Sequence, residues 1–264
     1  MSEVTDVSGK PEARSPFRLD GEVGIITGGG SGLGFGMAQA MIDAGASVVL
    51  TGRRETVLQQ AVQRLGERAS FVVADVTHHG SAPEVVSETL KHYGTLTILV
   101  NNAGVHLKKQ LEHTSAQEFD TVMQTHVNGA FALCREVTPI MKQQRHGHIL
   151  FIASMASFIG LPEVIAYSAA KAAHTGMVRS LAVELGEHGI RVNAIAPGWT
   201  ESDMLHQALD ADPGRKQKIL ARIPGGAFGL PQDIGYAAVY LSSPAARYVS
   251  GVVLPVDGGA LVSL

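Results

Sequence analysis

The chain has 264 residues, a formal net charge of −3 and a single cysteine. This length is ordinary for one α/β domain with a sizeable buried core. The mild charge provides no electrostatic surface for nucleic acid or for an anionic membrane, so we expect neither as a partner. One cysteine excludes an intramolecular disulfide and favours the cytoplasm as the compartment. We expect that residue, Cys134, to be buried on a helix rather than reactive.

Residues 1–18 differ in composition from the rest of the chain. They are rich in Ser, Pro, Glu, Lys and Arg and contain no run of apolar residues. This composition predicts a flexible N-terminal tail, followed by one domain over residues 19–264. The tail lacks the apolar centre of a secretory signal. No later window has the long charge-free apolar stretch of a membrane-spanning helix, so we expect no membrane span.

A glycine-rich segment follows the first predicted strand. The apolar run Val23-Gly-Ile-Ile-Thr27 is too short for a helix, and it leads into Gly28-Gly-Gly-Ser-Gly32-Leu-Gly34 and a helical pattern over 35–44. In this order Gly28 permits a tight turn, Gly32 lets the backbone approach a pyrophosphate, and Gly34 lets the helix pack closely on the strand. Unpaired N–H groups at the helix start also favour an anion. The segment therefore predicts a dinucleotide-binding domain.

Strands and helices alternate along the rest of the chain. Short apolar runs predict strands near 23–27, 46–51, 70–74, 96–100, 147–152, 190–195 and 252–256, with helical patterns between them. Such alternation is typical of a parallel sheet with helices on both faces. We therefore predict a single α/β domain of the Rossmann-like type, a doubly wound parallel sheet of seven strands.

A tyrosine and a lysine stand four residues apart, at Tyr167 and Lys171, within a helical pattern. This spacing places both side chains on one face of a helix. A phenol with a pKa of about 10 is a poor base, but a neighbouring ammonium favours the phenolate and makes proton exchange with an alcohol feasible. Because such a pair also arises by chance, its context matters. Ser154 stands 13 residues upstream of the tyrosine.

The motifs together resemble those of the short-chain dehydrogenase/reductase family, from about residue 20 to the end. In the family's order the chain contains Thr27-Gly28-x-x-x-Gly32-x-Gly34, Asp75-Val76, Asn101-Asn-Ala-Gly104, Asn128, Ser154, Tyr167-x-x-x-Lys171, Pro197-Gly198 and Val256-Asp-Gly-Gly259. Finer matches, such as Asn193-Ala-Ile-Ala-Pro-Gly198, resemble the branch of gluconate 5-dehydrogenases and 2-deoxy-gluconate 3-dehydrogenases. The resemblance implies an NAD(P)-dependent oxidoreductase that interconverts a secondary alcohol and a ketone on a sugar, polyol or aldonate.

The resemblance also implies a task for each of four residues. Tyr167 exchanges a proton with the substrate hydroxyl, while Lys171 lowers the pKa of Tyr167 and holds the nicotinamide ribose. Ser154 hydrogen-bonds the reacting oxygen. Asn128 keeps a water that connects Lys171 to solvent. The hydride chemistry belongs to the cofactor.

The implied cofactor site follows the carboxyl ends of successive strands. Its residues are Gly28, Ser31, Gly32, Leu33, Gly34, Arg53, Arg54, Asp75, Val76, Asn102, Ala103, Gly104, Tyr167, Lys171, Pro197, Gly198, Thr200 and Ser202.

The end of the second strand bears on which dinucleotide is bound. An acidic residue there accepts hydrogen bonds from the ribose 2′-OH of NAD, whereas the 2′-phosphate of NADP requires a nearby cation. Gly52 stands where the family's NAD enzymes place Asp, and Arg53 follows it, so we predict a preference for NADP(H), with NAD(H) as the alternative. In the other interpretation, Arg53 and Arg54 are solvated residues at the start of a helix and bind no phosphate. Ser31 also replaces the basic residue that many NADP-binding members carry.

Substrate contacts are expected from the loop after Gly104. His106 and Lys108 lie there, and a cation at Lys108 would hold the carboxylate of a sugar acid. A solvated lysine is the alternative. Ser154 and Trp199 complete the predicted substrate contacts. Hydrolytic zinc sites use two histidines four residues apart on a helix, together with a glutamate. The eleven histidines of this chain form no such pair, so we expect no catalytic metal.

Two other functions are compatible with the same motifs. A 3-oxoacyl-thioester reductase would use the same residues, and it would need a basic docking surface for an acidic carrier protein. A non-enzymatic dinucleotide sensor or scaffold can be built on the same fold, although the intact Ser154, Tyr167 and Lys171 argue against it. The sequence does not identify the substrate, its stereochemistry or the physiological direction.

Two predicted helices, near 119–143 and 166–187, carry apolar residues that are too widely spread to face one sheet. They are Phe119, Val122, Met123, Phe131 and Val137 on the first, and Met177, Leu181 and Leu185 on the second. An excess apolar face predicts a partner. Together with the resemblance, it predicts a homotetramer, or at least a dimer.

Overall fold

Seven strands form one sheet in a computed structural model that describes residues 15–78, 80–202, 205 and 213–263. All neighbouring strands are parallel, in the order β3-β2-β1-β4-β5-β6-β7. They are β1 (Val23–Thr27), β2 (Ser47–Gly52), β3 (Ala69–Val73), β4 (Ile98–Asn101), β5 (Gly147–Ile152), β6 (Ile190–Pro197) and β7 (Val253–Val256). Each strand lies within two residues of its predicted range, so the predicted fold class is confirmed.

Helices connect the strands and cover both faces of the sheet. They are α1 (Gly32–Asp43), α2 (Glu55–Leu65), α3 (Ser81–Tyr93), α4 (Ala116–Met123), α5 (Gly129–Gln144), α6 (Ile165–Leu185), α7 (Pro213–Leu220) and α8 (Pro231–Ser242). A π-helical turn, Gln124–Asn128, joins α4 to α5. Short 3-10 turns lie at Leu111–His113, Met155–Ser157, Gly186–His188 and Pro244–Ala246.

Local chemistry explains where several of these helices begin and end. The Ser115 hydroxyl accepts a hydrogen bond from the Glu118 N–H, and the Glu118 carboxylate accepts one from the Ser115 N–H, a capping box that starts α4. Pro231 is the first residue of α8, where its missing N–H costs nothing. Gly94 ends α3 in the left-handed conformation, with φ of 73°.

Strand residues alternate between two hydrophobic cores. Ile25 packs with α3, α5 and α6 on one face, whereas its neighbour Ile26 packs with α1, α2 and α8 on the other. Both side chains are fully buried. Because both faces of each central strand are covered, the strands are apolar almost throughout rather than alternating.

The excess apolar face that the sequence predicts on α4, α5 and α6 is smaller in the structure. Val122, Val137 and Leu185 are buried in the cores of the monomer, because α4 also packs on α6, and α5 on α3, and not only on the sheet. Phe131 does remain 56% exposed, and Val183, which the sequence argument did not include, is 85% exposed.

Residues 15–18 contact the domain. The Pro16 carbonyl accepts a hydrogen bond from the Ala245 N–H at 2.9 Å. Arg18 donates to the Asp43 carbonyl at 3.3 Å. The rest of the predicted tail, residues 1–14, lies outside the described residues, and its flexibility stays a prediction.

Cys134 is buried on α5, as predicted. Burial raises the pKa of its thiol to about 12, so the nucleophilic thiolate is scarce at neutral pH. Within the described part of the chain, no helix combines the length and the apolar character needed to cross a membrane.

The strand order decides where a ligand binds. β1 has β2 on one side and β4 on the other. From β1 the sheet first grows toward β3, and from β4 onward it grows in the opposite direction. Loops that leave the carboxyl ends of these two strands diverge, and they leave a crevice between them.

Candidate active site

A cleft of about 780 Å³ opens at this crevice. The predicted site residues that line it are Gly28, Ser31, Gly32, Leu33, Gly34, Arg53, Arg54, Asp75, Val76, Asn102, Ala103, Gly104, His106, Ser154, Tyr167, Lys171, Pro197, Gly198, Thr200 and Ser202. Three predicted site residues, Asn128, Lys108 and Trp199, do not line it. The structure thus gathers residues from most of the chain length around one cavity.

The glycine-rich turn after β1 is held by hydrogen bonds from the loop after β4. The Asn102 side-chain amide donates to the carbonyls of Thr27 at 2.7 Å and Gly28 at 3.2 Å. The Thr27 hydroxyl in turn accepts from the N–H groups of Asn102 and Ala103, at 2.9 and 2.8 Å. A Cβ at Gly34 would overlap the Gly28 carbonyl, which explains the glycine there. These contacts fix the position of the turn relative to the loop after β4.

Ser154 and Tyr167 meet at the centre of the cleft. Ser154 follows the end of β5, and Tyr167 lies in the first turn of α6. Both side chains line the cleft, and the Ser154 hydroxyl is close enough to the Tyr167 phenol to lower its pKa. The Ser154 oxygen also accepts from the Ala156 N–H at 3.1 Å, which orients it. Two hydroxyls that can donate and accept hydrogen bonds thus line the same cleft.

Lys171 lies one helical turn after Tyr167, as predicted. Its Nζ is 5.5 Å from the centroid of the Tyr167 ring and donates to the Ile152 carbonyl at 2.6 Å. Burial lowers the pKa of Lys171 to about 7. The amine therefore loses its proton more readily than a solvated lysine does.

The pKa of Tyr167 differs from the expectation. Burial raises the pKa of the Tyr167 phenol above its usual value, and the hydrogen bond with Ser154 opposes this only in part. The pKa is therefore not lowered, as Lys171 alone would predict, because burial sets the direction of the shift. Tyr167 is consequently protonated at neutral pH, the state that donates a proton.

The far end of the cleft contains a cation and no carboxylate on β2. The Arg53 guanidinium is 68% exposed and approaches the Asp75 carboxylate only to 4.0 Å. Gly52 is the last residue of β2, and a Cβ there would meet only Leu58 Cδ2, at 3.8 Å. A phosphate at this end would find Arg53 available, and Arg54 lines the cleft beside it.

His126 is a cleft residue that the sequence analysis missed. It is buried in the π-helical turn, and its ring meets the Tyr167 ring edge-on at 5.6 Å. Its Nε2 lies 2.8 Å from the Val105 carbonyl and 3.0 Å from the Val105 N–H. The ring leaves no room for a Cβ at Gly104. His126 therefore ties the Tyr167 helix to the loop that follows β4.

Burial lowers the pKa of His126 to about 3, so the ring is neutral at pH 7. Its own carbonyl accepts a hydrogen bond from His174 Nε2 at 2.9 Å, on α6. π-Helical turns are frequent at functional sites, but the spacing of apolar residues does not reveal them. The nearest sequence signal is Asn128, two residues later.

Asn128 is exposed and lies outside the cleft. The prediction that it keeps a water beside Lys171 is therefore corrected. A π-helical turn has more residues per turn than an α-helix, so each side chain is rotated away from its expected direction. As a result His126, and not Asn128, faces Tyr167.

The residues that were predicted to contact the substrate do not all lie in the cleft. His106 lines the cleft, with its ring 5.1 Å from that of Tyr167. Lys108 instead forms an ion pair with Glu163 at 3.1 Å. Trp199 packs in a small apolar cluster with Met155. Lys108 and Trp199 thus contact neighbouring side chains that no sequence pattern predicts.

We expect His126→Ala to lower kcat roughly tenfold or more. A buried backbone group left without a partner costs about 1–3 kcal/mol, and the loop that carries Val105 would lose its attachment. His126→Gln should restore most of the rate, because its amide reaches as far as Nε2 and both donates and accepts. Steady-state kinetics decide the matter: equal kcat losses in both variants would mean that the ring fills space only.

Comparison with known proteins agrees with this geometry. A family model described as enoyl-(acyl carrier protein) reductase matches residues 28–260. A 2-dehydro-3-deoxy-D-gluconate 5-dehydrogenase of Dickeya dadantii is 39% identical over 249 residues, covering 93% of this chain and 97% of that protein. A 3-oxoacyl-[acyl-carrier-protein] reductase of Chlamydia muridarum is 36% identical over 245 residues, covering 91% and 98%.

A solved structure agrees as well. It is the crystal structure of a candidate 2-deoxy-D-gluconate 3-dehydrogenase of Agrobacterium tumefaciens with bound NADP, and its TM-score to this chain is 0.85. The two are 36% identical, and the match covers 94% of this chain and all of the other. On the combined evidence of the family match, these relatives and the Ser154, Tyr167 and Lys171 geometry, the chain belongs to the short-chain dehydrogenase/reductase family of oxidoreductases.

Proposed function

We propose that this protein is an NADP(H)-preferring dehydrogenase/reductase that interconverts a secondary alcohol and a ketone on a sugar, polyol or aldonate such as gluconate. The observation that carries the proposal is that Ser154, Tyr167 and Lys171 line one cleft together with a glycine-rich turn. The gluconate-related activities in the names of two relatives support the substrate class. The single buried cysteine supports a cytoplasmic location.

Each residue of the proposed site has a task in the reaction. Tyr167 transfers a proton between its hydroxyl and the substrate oxygen, and Ser154 hydrogen-bonds that oxygen and holds it in place. Lys171, when protonated, stabilises negative charge on the phenol oxygen as the proton leaves. When bound, the dinucleotide supplies or accepts the hydride.

The cofactor proposal rests on the two ends of the cleft. Gly28, Ser31, Gly32, Leu33 and Gly34 offer main-chain groups at the start of α1 to a pyrophosphate. Arg53 and Arg54 offer cations where the 2′-phosphate of NADP would lie, and no carboxylate occupies position 52. NADP in the Agrobacterium tumefaciens structure supports the same choice.

His106 is the residue we propose for substrate selection beside Ser154. It lines the cleft next to Tyr167, so a substrate whose oxygen meets Tyr167 would lie beside it. We do not propose that Lys108 binds the substrate carboxylate, because Glu163 already neutralises its charge. Between β6 and α8, residues 203, 204 and 206–212 lie outside the described residues.

A spectrophotometric panel tests the function. Sugars, polyols, aldonates, their keto forms and 3-oxoacyl thioesters are each assayed with NADP(H) and NAD(H). The highest kcat/KM on an aldonate or sugar supports the proposal. The highest value on an oxoacyl thioester would favour the carrier-protein reductase, which the Chlamydia muridarum relative represents. Binding of NADPH without any turnover would favour a dinucleotide sensor.

We also propose that the protein assembles, as a dimer or a homotetramer, through α5 and α6. Ile165 and Val183 are 18 residues apart, which is five full helical turns, so they share one face of α6. Both are exposed, as are Ala172 and Gly176 between them on the same face. Phe131 of α5 is exposed too. Small residues flanked by large apolar ones let two helices approach closely.

Gly176→Glu is expected to convert the assembly to monomers. A Cβ at Gly176 meets no atom within 4 Å, so the monomer accommodates the side chain, whereas a paired interface would bury its charge. Light scattering at micromolar concentration gives the mass. Gln63→Glu, which adds the same charge to an exposed site on α2, serves as the control and should leave the mass unchanged. A wild-type monomer, or an unchanged oligomer in Gly176→Glu, would contradict this interface.

A further inference from the structure

Three side chains that bind metals in proteins meet at the edge of the sheet opposite the cleft. Glu22 directly precedes β1, and His146 directly precedes β5. His148 is the second residue of β5. Because parallel strands all begin at the same edge, these residues are adjacent despite their separation of more than a hundred positions. None of them is used by the proposed reaction, which takes place at the carboxyl ends.

The three groups are close enough to share one ion. A carboxylate oxygen of Glu22 and one ring nitrogen of each histidine all lie within 4.8 Å of one another. His146 Nε2 is 3.0 and 3.1 Å from the two Glu22 oxygens. The two imidazole rings are 4.8 Å apart and nearly perpendicular, at 84°. Small rotations of these side chains would bring the three atoms to the distances of about 2.0–2.2 Å that zinc requires.

The chemistry of the donors indicates which cation fits. Two imidazoles and one carboxylate form the protein ligand set of zinc sites that leave a fourth position to water. Nitrogen-rich sites of this kind favour zinc and its neighbours over magnesium or calcium. His148 Nδ1 is buried and makes no hydrogen bond within the described part of the chain. The site therefore combines a carboxylate and imidazole pair with a second imidazole that has a ring nitrogen without a hydrogen bond to any described residue.

We propose that Glu22, His146 and His148 form a binding site for a divalent transition-metal cation such as Zn²⁺, separate from the active site. The site is accessible, because the His146 side chain is 46% exposed and that of Glu22 is 18% exposed. Water can thus reach the remaining coordination position. A bound ion would join the start of β1 to the start of β5, across the intervening β4.

Arg191 is the charge that opposes such an ion. It is the β6 partner of His148 in the sheet register, so both side chains lie on the same face. Its guanidinium donates to the carbonyls of Leu241, Val249 and Ser243 at 2.6, 3.3 and 3.1 Å. Because Arg191 is bound to these carbonyls, the Glu22 carboxylate can bind the ion. The arginine lowers the expected affinity below that of a four-ligand structural zinc site.

Calorimetric titration of Zn²⁺ into the untagged, chelator-treated protein tests the site. We expect one equivalent to bind, and Glu22→Gln and His146→Gln each to weaken that binding at least tenfold. His188→Gln is the matched control, because His188 also faces a carboxylate, Glu187 at 3.4 Å; it should leave the affinity unchanged. No binding to wild type, or equal affinities in wild type, Glu22→Gln and His146→Gln, would overturn the proposal.

Cobalt provides a second measurement that needs no variant. Co²⁺ bound by two imidazoles, a carboxylate and water in a tetrahedral site produces intense visible absorption, and octahedral surface binding does not. We expect wild type to show this absorption with one equivalent of Co²⁺ and to lose it when Zn²⁺ is added. Weak absorption only, or absorption that Zn²⁺ does not displace, would overturn the proposal.

Discussion

Tyr167→Phe is expected to lower turnover by about 10²–10⁴-fold while NADPH binds with nearly unchanged affinity. The substitution removes only the hydroxyl that exchanges a proton with the substrate, and this is the usual effect of losing a general acid or base. The ring itself remains, so its contacts with His106 and His126 are preserved. Steady-state rates give the loss, and quenching of fluorescence on NADPH binding shows that the cofactor site is intact.

The raised pKa of Tyr167 adds a pH dependence to this expectation. Alcohol oxidation needs the phenolate, whose fraction grows as the pH rises toward the raised pKa of Tyr167, so the wild-type oxidation rate should increase with pH. Ketone reduction needs the protonated phenol, which prevails at neutral pH. The phenylalanine variant should lose the rise in oxidation rate. Tyr248→Phe, at a site that is 96% exposed, is the control with unchanged kinetics. More than a tenth of wild-type activity in Tyr167→Phe would show that another group transfers the proton.

The second large effect concerns the choice of cofactor. Arg53→Ala is expected to weaken NADPH binding roughly ten- to a hundredfold and to leave NADH binding unchanged. A hydrogen bond to a charged group contributes about 1.5–3 kcal/mol, and a guanidinium can form two such bonds to one phosphate. Because Arg53 lies 4.0 Å from Asp75 and is mostly exposed, no strong existing pair has to be broken first.

Gly52→Asp should go further and reverse the preference toward NAD(H). A carboxylate at position 52 repels the 2′-phosphate and offers the ribose 2′-OH an acceptor. The structure has room for it, since a Cβ there meets only Leu58 Cδ2 at 3.8 Å. The ratio of kcat/KM with the two cofactors is the measurement.

A control separates a local effect from a general loss of positive charge. Arg135→Ala removes a guanidinium that is 62% exposed and pairs with Glu136 on α5, outside the residues that line the cleft. Its cofactor ratio should equal that of wild type. A wild type that prefers NADH, or an unchanged ratio in Arg53→Ala, would assign Arg53 and Arg54 to the solvated start of α2 instead.

Much of the fold was predictable from local patterns. Each strand is a short apolar run, because a buried parallel strand has both of its faces covered, and such runs are visible without any knowledge of contacts. The glycine-rich turn and the Tyr167 and Lys171 pair were predictable for the same reason. Their geometry depends on residues a few positions apart, within one turn or one helix.

The site was less predictable where it depends on side chains from distant elements. A π-helical turn directs His126 at Tyr167 and leaves Asn128 exposed, and apolar periodicity does not reveal such a turn. Glu163 neutralises Lys108 from 55 positions away. Burial of Lys171 and Tyr167 shifts both pKa values against the direction that the isolated pair suggests.

The sequence by itself determined the parallel α/β architecture and the position of the dinucleotide cleft, because each follows from spacing within one or two neighbouring elements. The roles of Ser154, Tyr167 and Lys171 were implied by the family resemblance of the motifs. Only the tertiary structure decided which polar groups are desolvated and which are paired. It joined His126 to Val105, Lys108 to Glu163, and Glu22 to His146 and His148. Contacts of this kind depend on how strands and helices far apart in the chain are brought together, and no local pattern encodes them.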